Sequence, residues 1–305
     1  MRTKPLSTKP LTILQANVGK AATSHEIALS LAADSLIDAI LIQEPYVFTD
    51  LSRRITKSHP LYESFTPVDD WTTRPRAISY VRKGAGLQTT QLRPCESRDL
   101  VFLQIQTRNT LPFTVTNIYN APTGATDAGA AVRALTASPQ HLWRSGLIAG
   151  DFNLHHPNWD PAHRTPSGQA EVLLDWLDSH SFVYIGPVGT PTHNQGNTLD
   201  LAFSTGPLPA YTTLASHFDS TSDHCSLLTT VRWDSRTNEP IRRLRLDTLD
   251  IDIFKNTLQS SLAHCPALTD IPGTADLDSE ALQITQSLQD AYSKAAKRTT
   301  GRNTG

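Results

Sequence analysis

At 305 residues the chain can hold one large domain, or a medium domain with an appendage, and can bury a substantial core. Its 38% hydrophobic and 18% charged content fits a globular protein, and a formal net charge of −2 excludes a global electrostatic case for binding nucleic acid or an anionic membrane. The basic N-terminus MRTKPLSTKP has no long apolar stretch behind it, which argues against a secretory leader or a membrane span. Cys95, Cys225 and Cys265 are scattered without paired spacing, so we expect buried free thiols in a reducing compartment, cytosolic or nuclear.

Taken in chain order, a tail over residues 1–10 precedes two short apolar runs, 11–17 and 38–44, that read as strands covered on both faces. Between them Thr23 and Glu26 have capping-box spacing, and Ile27, Ala28, Leu31 and Ala32 recur at helical intervals. Further strands are predicted at 77–83, 100–106, 113–119, 146–150, 182–185, 198–203 and 225–231, with helices near 126–137 and 168–179. LVFLQIQ and FTVTNIY alternate with period two, as half-covered antiparallel strands do. Many strands with few helices predict an α/β chain of two packed sheets flanked by helices. After Trp233 the composition turns polar, with Pro240 and the cluster Arg242, Arg243 and Arg245, so a domain over 11–235 is expected to give way to a linker and helical extension over 236–305. Residues 248–263 and 276–298 read there as two amphipathic helices, and the extension suggests a connector to something longer.

The apolar runs end on chemistry that core packing does not need. Asn17 closes TILQAN, Glu44 closes AILIQE, Asp151 and Asn153 close LIAGDFN, and Asp223 with His224 opens CSLLTTV. Carboxylates and amides with few thiolates are oxygen ligands, which select hard cations such as Mg²⁺ or Mn²⁺, and Glu44 leads the ligand candidates. Asp151 and Asn153, two apart on an extended segment, can face one side and hold a water and a phosphate oxygen together. Asp200 in NTLDLAF can orient the His224 imidazole from a neighbouring strand. A carboxylate after a strand is commonly a cap or an ion-pair partner, and GDFN alone can be an Asx turn; the set is stronger than its members because all the ordinary explanations must hold at once. No zinc site is expected on His155, His156 and His163, because adjacent histidines on a loop point apart and no thiolate accompanies them.

ILQAN, LIQEPY, NIYNAP, AGDFNLHHPNW, PTH, TLDLAF and SDHCSL, in that order over residues 11–233, resemble the endonuclease/exonuclease/phosphatase superfamily. QEPY and GDFN continued by HHPxW narrow the resemblance to the endonuclease domains of non-LTR (LINE-type) retrotransposons, particularly fungal ones. The resemblance implies a four-layered α/β sandwich with the site at one end of two facing sheets. It implies that Asn17, Glu44 and Asp223 lie by a divalent metal, that Tyr119 meets the phosphate, that Asp151 positions or deprotonates the attacking water, and that Asn153 holds that water or a phosphate oxygen. Asp200 would orient His224, which would bind the scissile phosphate; Thr192 and Trp159 would serve substrate binding. Of the tyrosines near strand ends, Tyr80 and Tyr119, the NIYNAP motif favours Tyr119.

The activity so implied is Mg²⁺-dependent nicking of DNA to leave a 3′-hydroxyl that primes reverse transcription, with a reverse transcriptase domain expected in a longer polyprotein and a nuclear location. Abasic-site repair, a superfamily phosphatase and an inactive retroelement relic are the alternatives. For DNA, Arg53, Arg54 and Lys57, Arg74 and Arg76, and Arg82 and Lys83 can form a phosphate-tracking rim, and Trp71 or Trp159 can stack or wedge a base.

Overall fold

The computed structural model describes residues 10–50, 53–67, 73–107, 110–206, 208–232, 249–263 and 274–296. Trp71 and Cys265 lie outside the described residues. The chain divides into two compact units, Met1–Arg236 and Thr237–Gly305.

In the first unit the strands are β1 (Leu11–Asn17), β2 (Ala39–Gln43), β3 (Val47–Asp50), β4 (Arg53–Thr56), β5 (Tyr62–Phe65), β6 (Ala77–Arg82) and β7 (Gln88–Leu92). They continue with β8 (Leu100–Gln106), β9 (Phe113–Tyr119), β10 (Gly146–Asp151), β11 (Phe182–Tyr184), β12 (Asp200–Thr205), β13 (Ala210–Leu214) and β14 (Leu227–Val231). The helices are α1 (Ala22–Asp34), α2 (Ala130–Thr136) and α3 (Gly168–Ser179). One sheet runs β13-β14-β1-β2-β6-β5 and the other β11-β12-β10-β9-β8-β7, with β3-β4 a separate hairpin. The pairs β1–β2 and β9–β10 are parallel; the other pairings are antiparallel.

Three apolar clusters separate the layers. Leu14, Ile40, Ile42, Ile78 and Tyr80 on the outer face of the first sheet pack against Ala28, Leu29 and Ala32 of α1. Leu11, Ile13, Leu41 and Val81 face Leu103, Val115, Leu147, Ala149 and Ala202 between the sheets. Ile118, Ile148, Leu201 and Phe203 on the outer face of the second sheet meet Val132, Leu135, Leu173, Trp176 and Leu177 of α2 and α3. The result is the four-layered α/β sandwich: helix, sheet, sheet, helix.

Side chains alternate along a strand, so each inward row can be followed to its end. On β1 it runs Leu11, Ile13, Gln15, Asn17; on β9 Phe113, Val115, Asn117, Tyr119; on β10 Leu147, Ala149, Asp151; on β2 Ala39, Leu41, Gln43. Every row turns from apolar to polar toward the same end. Asn117 marks the transition, its amide donating to the carbonyls of Ile42 (3.1 Å) and Ile78 (3.0 Å) and its Oδ1 accepting from Gln43 Nε2 at 2.6 Å. These bonds cross between the sheets, fixing their register where apolar packing stops.

Several details differ from the sequence expectations: β9, read as a half-covered antiparallel strand, is buried along its whole length and pairs in parallel with β10, and the β3–β4 hairpin was not predicted. α1 starts at Ala22 behind Ala21 with no side-chain cap, and Glu26 instead pairs with Lys57 at 2.8 Å. β5, β7 and β13, not predicted, lie next to or at sheet edges, where half-exposed strands such as QTTQL carry no apolar signal. Cys95 and Cys225 are free, as expected, but only partly buried.

The second unit contains α4 (Ile251–Leu262) and α5 (Thr274–Ala295). Asp250 caps α4 by accepting from the backbone N–H groups of Asp252 (3.1 Å) and Ile253 (3.0 Å), and Phe254 packs on Tyr292 with ring centroids 4.7 Å apart. No described helix is long and apolar enough to cross a membrane.

Candidate active site

The polar end of the inter-sheet space gathers residues from strands that are remote in sequence. In the ladder β9–β10–β12, Asp151 stands opposite both Tyr119 and Asp200. β14 runs antiparallel to β1, so the turn before it brings His224 beside Asn17. Asn17 Nδ2 donates to Asp151 Oδ2 at 3.0 Å and lies 3.5 Å from His224 Nε2. His224 Nδ1 donates to Asp200 Oδ2 at 2.8 Å, and Gln15 Nε2 donates to the other oxygen of Asp200 at 3.3 Å. Asn153, at φ 48°, turns back so that its N–H donates to Asp151 Oδ1 at 3.1 Å while its Nδ2 donates to Asp151 Oδ2 and to Asn120 O. That left-handed turn, a conformation asparagine tolerates, puts both side chains on one side.

Burial sets the electrostatics. Asp151 and Asp200 are each 1% exposed. Burial, then the neighbouring charge of Asp200, lifts the Asp151 carboxyl above the usual carboxylate range, against the pull of His224, Asn153 and Asn17. Burial by itself disfavours the His224 cation; the hydrogen bond and charge of Asp200, with Asp151 and Asp223, outweigh it and hold the ring at about 9. Burial, and then Glu44 and Asp151, push the Tyr119 phenol up, so it remains a hydrogen-bond donor at neutral pH; its ring packs against the Arg76 guanidinium at 5.0 Å.

Glu44 directly follows β2 at φ 46° and is reached by Lys20 Nζ at 2.6 Å. Its carboxylate already attracts a cation, and one carboxylate supplemented by amide oxygen and water suits Mg²⁺, which keeps several of its waters. Of the other expected metal ligands, Asn17 Oδ1 accepts from Gly19 N, and Asp223 is more exposed, pairing with His193 Nε2 at 3.3 Å. His193, Asp223 and His224 lie close enough together to share an ion.

Two expected substrate contacts sit inside the protein. Trp159 is fully buried, its indole N–H donating to Leu154 O at 3.0 Å and its ring packed on Phe203 and His156, so it cannot face a substrate. Thr192 is equally buried: its hydroxyl accepts from the N–H groups of Leu199 and Asp200, both at 3.0 Å, and fixes the start of β12. Tyr80 belongs to the outer layer, where its hydroxyl meets His25 Nε2 and Lys57 O. Of the expected basic rim, Lys57 pairs with Glu26, Arg76 with Asp99 and Asp127, and Arg82 with Asp38; Arg74 and Lys83 reach the carbonyls of Pro45 and Pro60. The side chains of Arg53 and Arg54 lie outside the described residues.

Gln15, Lys20, Asn120 and His193 also contact the site and were not singled out from sequence. Gln15 was legible as the inward residue two before Asn17. His193 had only its place in PTH to mark it.

Residues 113–228 match the model of an endonuclease-reverse transcriptase family. The match takes in Tyr119, Asp151, Asn153, Asp200, Asp223 and His224, while Asn17 and Glu44 fall before it. No curated protein matches the chain. Among solved structures, the endonuclease domain of TRAS1, a telomere-specific non-LTR retrotransposon, is 19% identical, with a TM-score of 0.59, over 74% of this chain and 100% of that one. The catalytic domain of Xenopus laevis APE2 is 14% identical (TM-score 0.53; 73% and 92% covered), and a 3′-5′ exonuclease of Neisseria meningitidis is 14% identical (TM-score 0.52; 73% and 100% covered). The four-layered sandwich, the ordered motifs along it and the endonuclease-reverse transcriptase match together identify the chain as having the endonuclease/exonuclease/phosphatase superfamily fold.

Proposed function

We propose that the chain is a divalent-metal-dependent endonuclease that nicks DNA to leave a 3′-hydroxyl, and that this end primes target-site reverse transcription of a non-LTR retroelement. The observation that carries the reading is the convergence of Asn17, Asp151, Asn153, Asp200 and His224 at the polar end of the inter-sheet space. The likeness to the TRAS1 domain and the endonuclease-reverse transcriptase match support the retroelement setting, in which a reverse transcriptase domain belongs to the same polyprotein and the work is nuclear.

Glu44, with Asn17 and Asp223 as further candidates, would hold Mg²⁺ or Mn²⁺, which when bound neutralises charge on the scissile phosphate. Asp151, lifted toward neutral pH and held by Asn17 and Asn153, takes the proton of the attacking water. Cationic His224, steadied by Asp200, meets the phosphate oxygens and stabilises the charge that develops there. Tyr119 donates to the same phosphate. Water adds to phosphorus as Asp151 takes its proton, the bond between phosphorus and the 3′ oxygen breaks, and that oxygen takes a proton from solvent water, leaving a 3′-hydroxyl and a 5′-phosphate. A superfamily phosphatase would need spare basic residues for a headgroup; Arg76, Arg82 and Arg98 are instead neutralised by Asp99, Asp38 and Asp127.

Supercoiled plasmid should convert to open circle with Mg²⁺ and not with EDTA, and Glu44→Ala should lower the rate at least about 100-fold. Cleavage confined to plasmid carrying abasic sites would transfer the reading to a repair enzyme; no cleavage of either would leave a phosphatase or a relic. The pH profile tests His224. Its folded pKa is raised, so the cation is present below about 9 and lost above it, and nicking should fall as pH climbs through that value. In Asp200→Asn the first support of the cation is gone, and the alkaline limb should move to lower pH.

A further inference from the structure

The loop after β10 places three potential ligands together outside the catalytic set. Asp160 is 3% exposed, and its Oδ2 lies 3.0 Å from His163 Nδ1 and 3.8 Å from His155 Nδ1. The two imidazoles stack with centroids 3.9 Å apart and planes 22° from parallel. All three donor atoms fall within 4.8 Å of one another. His155 Nδ1 is buried yet has no hydrogen-bond partner, since 3.8 Å is too long for one.

An ordinary ion pair explains only part of this. A proton on His163 satisfies Asp160, but it leaves a second imidazole nitrogen, buried and unpartnered, 3.8 Å from the same carboxylate oxygen. In a tetrahedral Zn²⁺ site with bonds of about 2.0–2.2 Å, donor atoms stand roughly 3.3–3.6 Å apart. The separations of 3.0 and 3.8 Å bracket that value. Two nitrogens and one carboxylate oxygen suit a borderline transition dication better than Mg²⁺, which prefers oxygen. His155 and His156 do point apart, His156 reaching toward Glu171; the convergence comes from His163, brought back by its N–H donating to Asp160 O at 3.0 Å.

We propose that His155, Asp160 and His163 bind a transition-metal dication of the Zn²⁺ type, with water completing the coordination. The site is structural. Asp160 Oδ2 also accepts from Thr198 N at 3.4 Å, and Thr198 Oγ1 donates to Thr190 O at 2.9 Å, so the ion ties the loop after Asn153 to the segment that carries Thr192, His193 and Asp200. It braces two arms of the catalytic site without touching the reacting atoms.

Cobalt titration of the whole, chelator-stripped chain in excess Mg²⁺ tests this. One equivalent of Co²⁺ should give visible absorption of low-symmetry nitrogen and oxygen coordination, be displaced by Zn²⁺, and raise the melting temperature. His163→Gln and His155→Gln, both at partly exposed positions where folding is expected to survive, should each weaken binding by about 100-fold or more, beyond the loss typical of an outer-shell change. His193→Ala, in the neighbouring His193–Asp223–His224 group, should bind cobalt normally. Absence of cobalt binding, binding that survives both glutamine variants, or binding lost in His193→Ala would each overturn the proposal.

Discussion

Asp151→Asn should lower plasmid nicking by roughly 10²–10⁴-fold, the range for losing a positioned proton acceptor, while melting within a few degrees of the parent. The two halves of that result come from one cause. An unfolded chain releases the Asp151 proton near the ordinary carboxylate value of 3.8, whereas the folded chain releases it at higher pH because the carboxyl is buried beside Asp200. Ionisation therefore costs the folded state stability at neutral pH. Asparagine removes that cost and still accepts from Asn17 and Asn153 through one oxygen, giving up about one hydrogen bond to the Asn153 N–H. A variant that loses most activity and little stability marks a residue held against the preference of the fold. If nicking stayed within threefold of the parent, Asp151 would not be the proton acceptor. If activity and melting temperature collapsed together, its role would be structural.

The same opposition explains which parts of the architecture could be read in advance. β1, β8, β9 and α3 were legible to the residue because their apolar periodicity is strong and their ends are abrupt. The carboxylates and amides that converge at the polar end of the sheets were legible because each ends such a run on a group that burial penalises. The edge strands β5, β7 and β13 were hidden by their polarity, and the β3–β4 hairpin by its shortness. Trp159 and Thr192 show the converse difficulty. Both sit in motifs next to the chemistry, yet one fills the core between Phe203 and His156 and the other fixes backbone at the start of β12. A motif reports that a residue type is needed; only packing separates contact with substrate from support of a residue that makes it. The His155–Asp160–His163 cluster lay beyond reach for a related reason, since spacing says that adjacent histidines diverge but not that a third returns to meet one of them.

Gly150→Ala should be the most damaging single-methyl substitution at the site, although Gly150 carries no chemistry. It stands opposite Ile118 in the β9–β10 ladder at φ 154°, and a Cβ there would lie 1.9 Å from Ile118 O and 2.8 Å from Ile118 C. Those are backbone atoms, so no side-chain rotation relieves the clash; β10 must move away from β9. Overpacking and backbone strain of this kind each cost about 1–3 kcal/mol, so a loss of about 3 kcal/mol or more is expected. For a unit of this size that lowers the melting temperature by roughly 6–12 °C. Because Asp151 follows directly and takes its position from the same ladder, facing Tyr119 on one side and Asp200 on the other, nicking should fall well before the melting point is reached. Gly168→Ala supplies the contrast. A Cβ at the first residue of α3 meets nothing within 4 Å, and the change should be neutral or stabilising by about 0.4–1 kcal/mol through the unfolded chain. Thermal melts of the two variants beside the parent decide the matter: equal melting of Gly150→Ala and Gly168→Ala would mean that β10 is not pinned against Ile118, and that the glycine before Asp151 is there for some reason other than close approach.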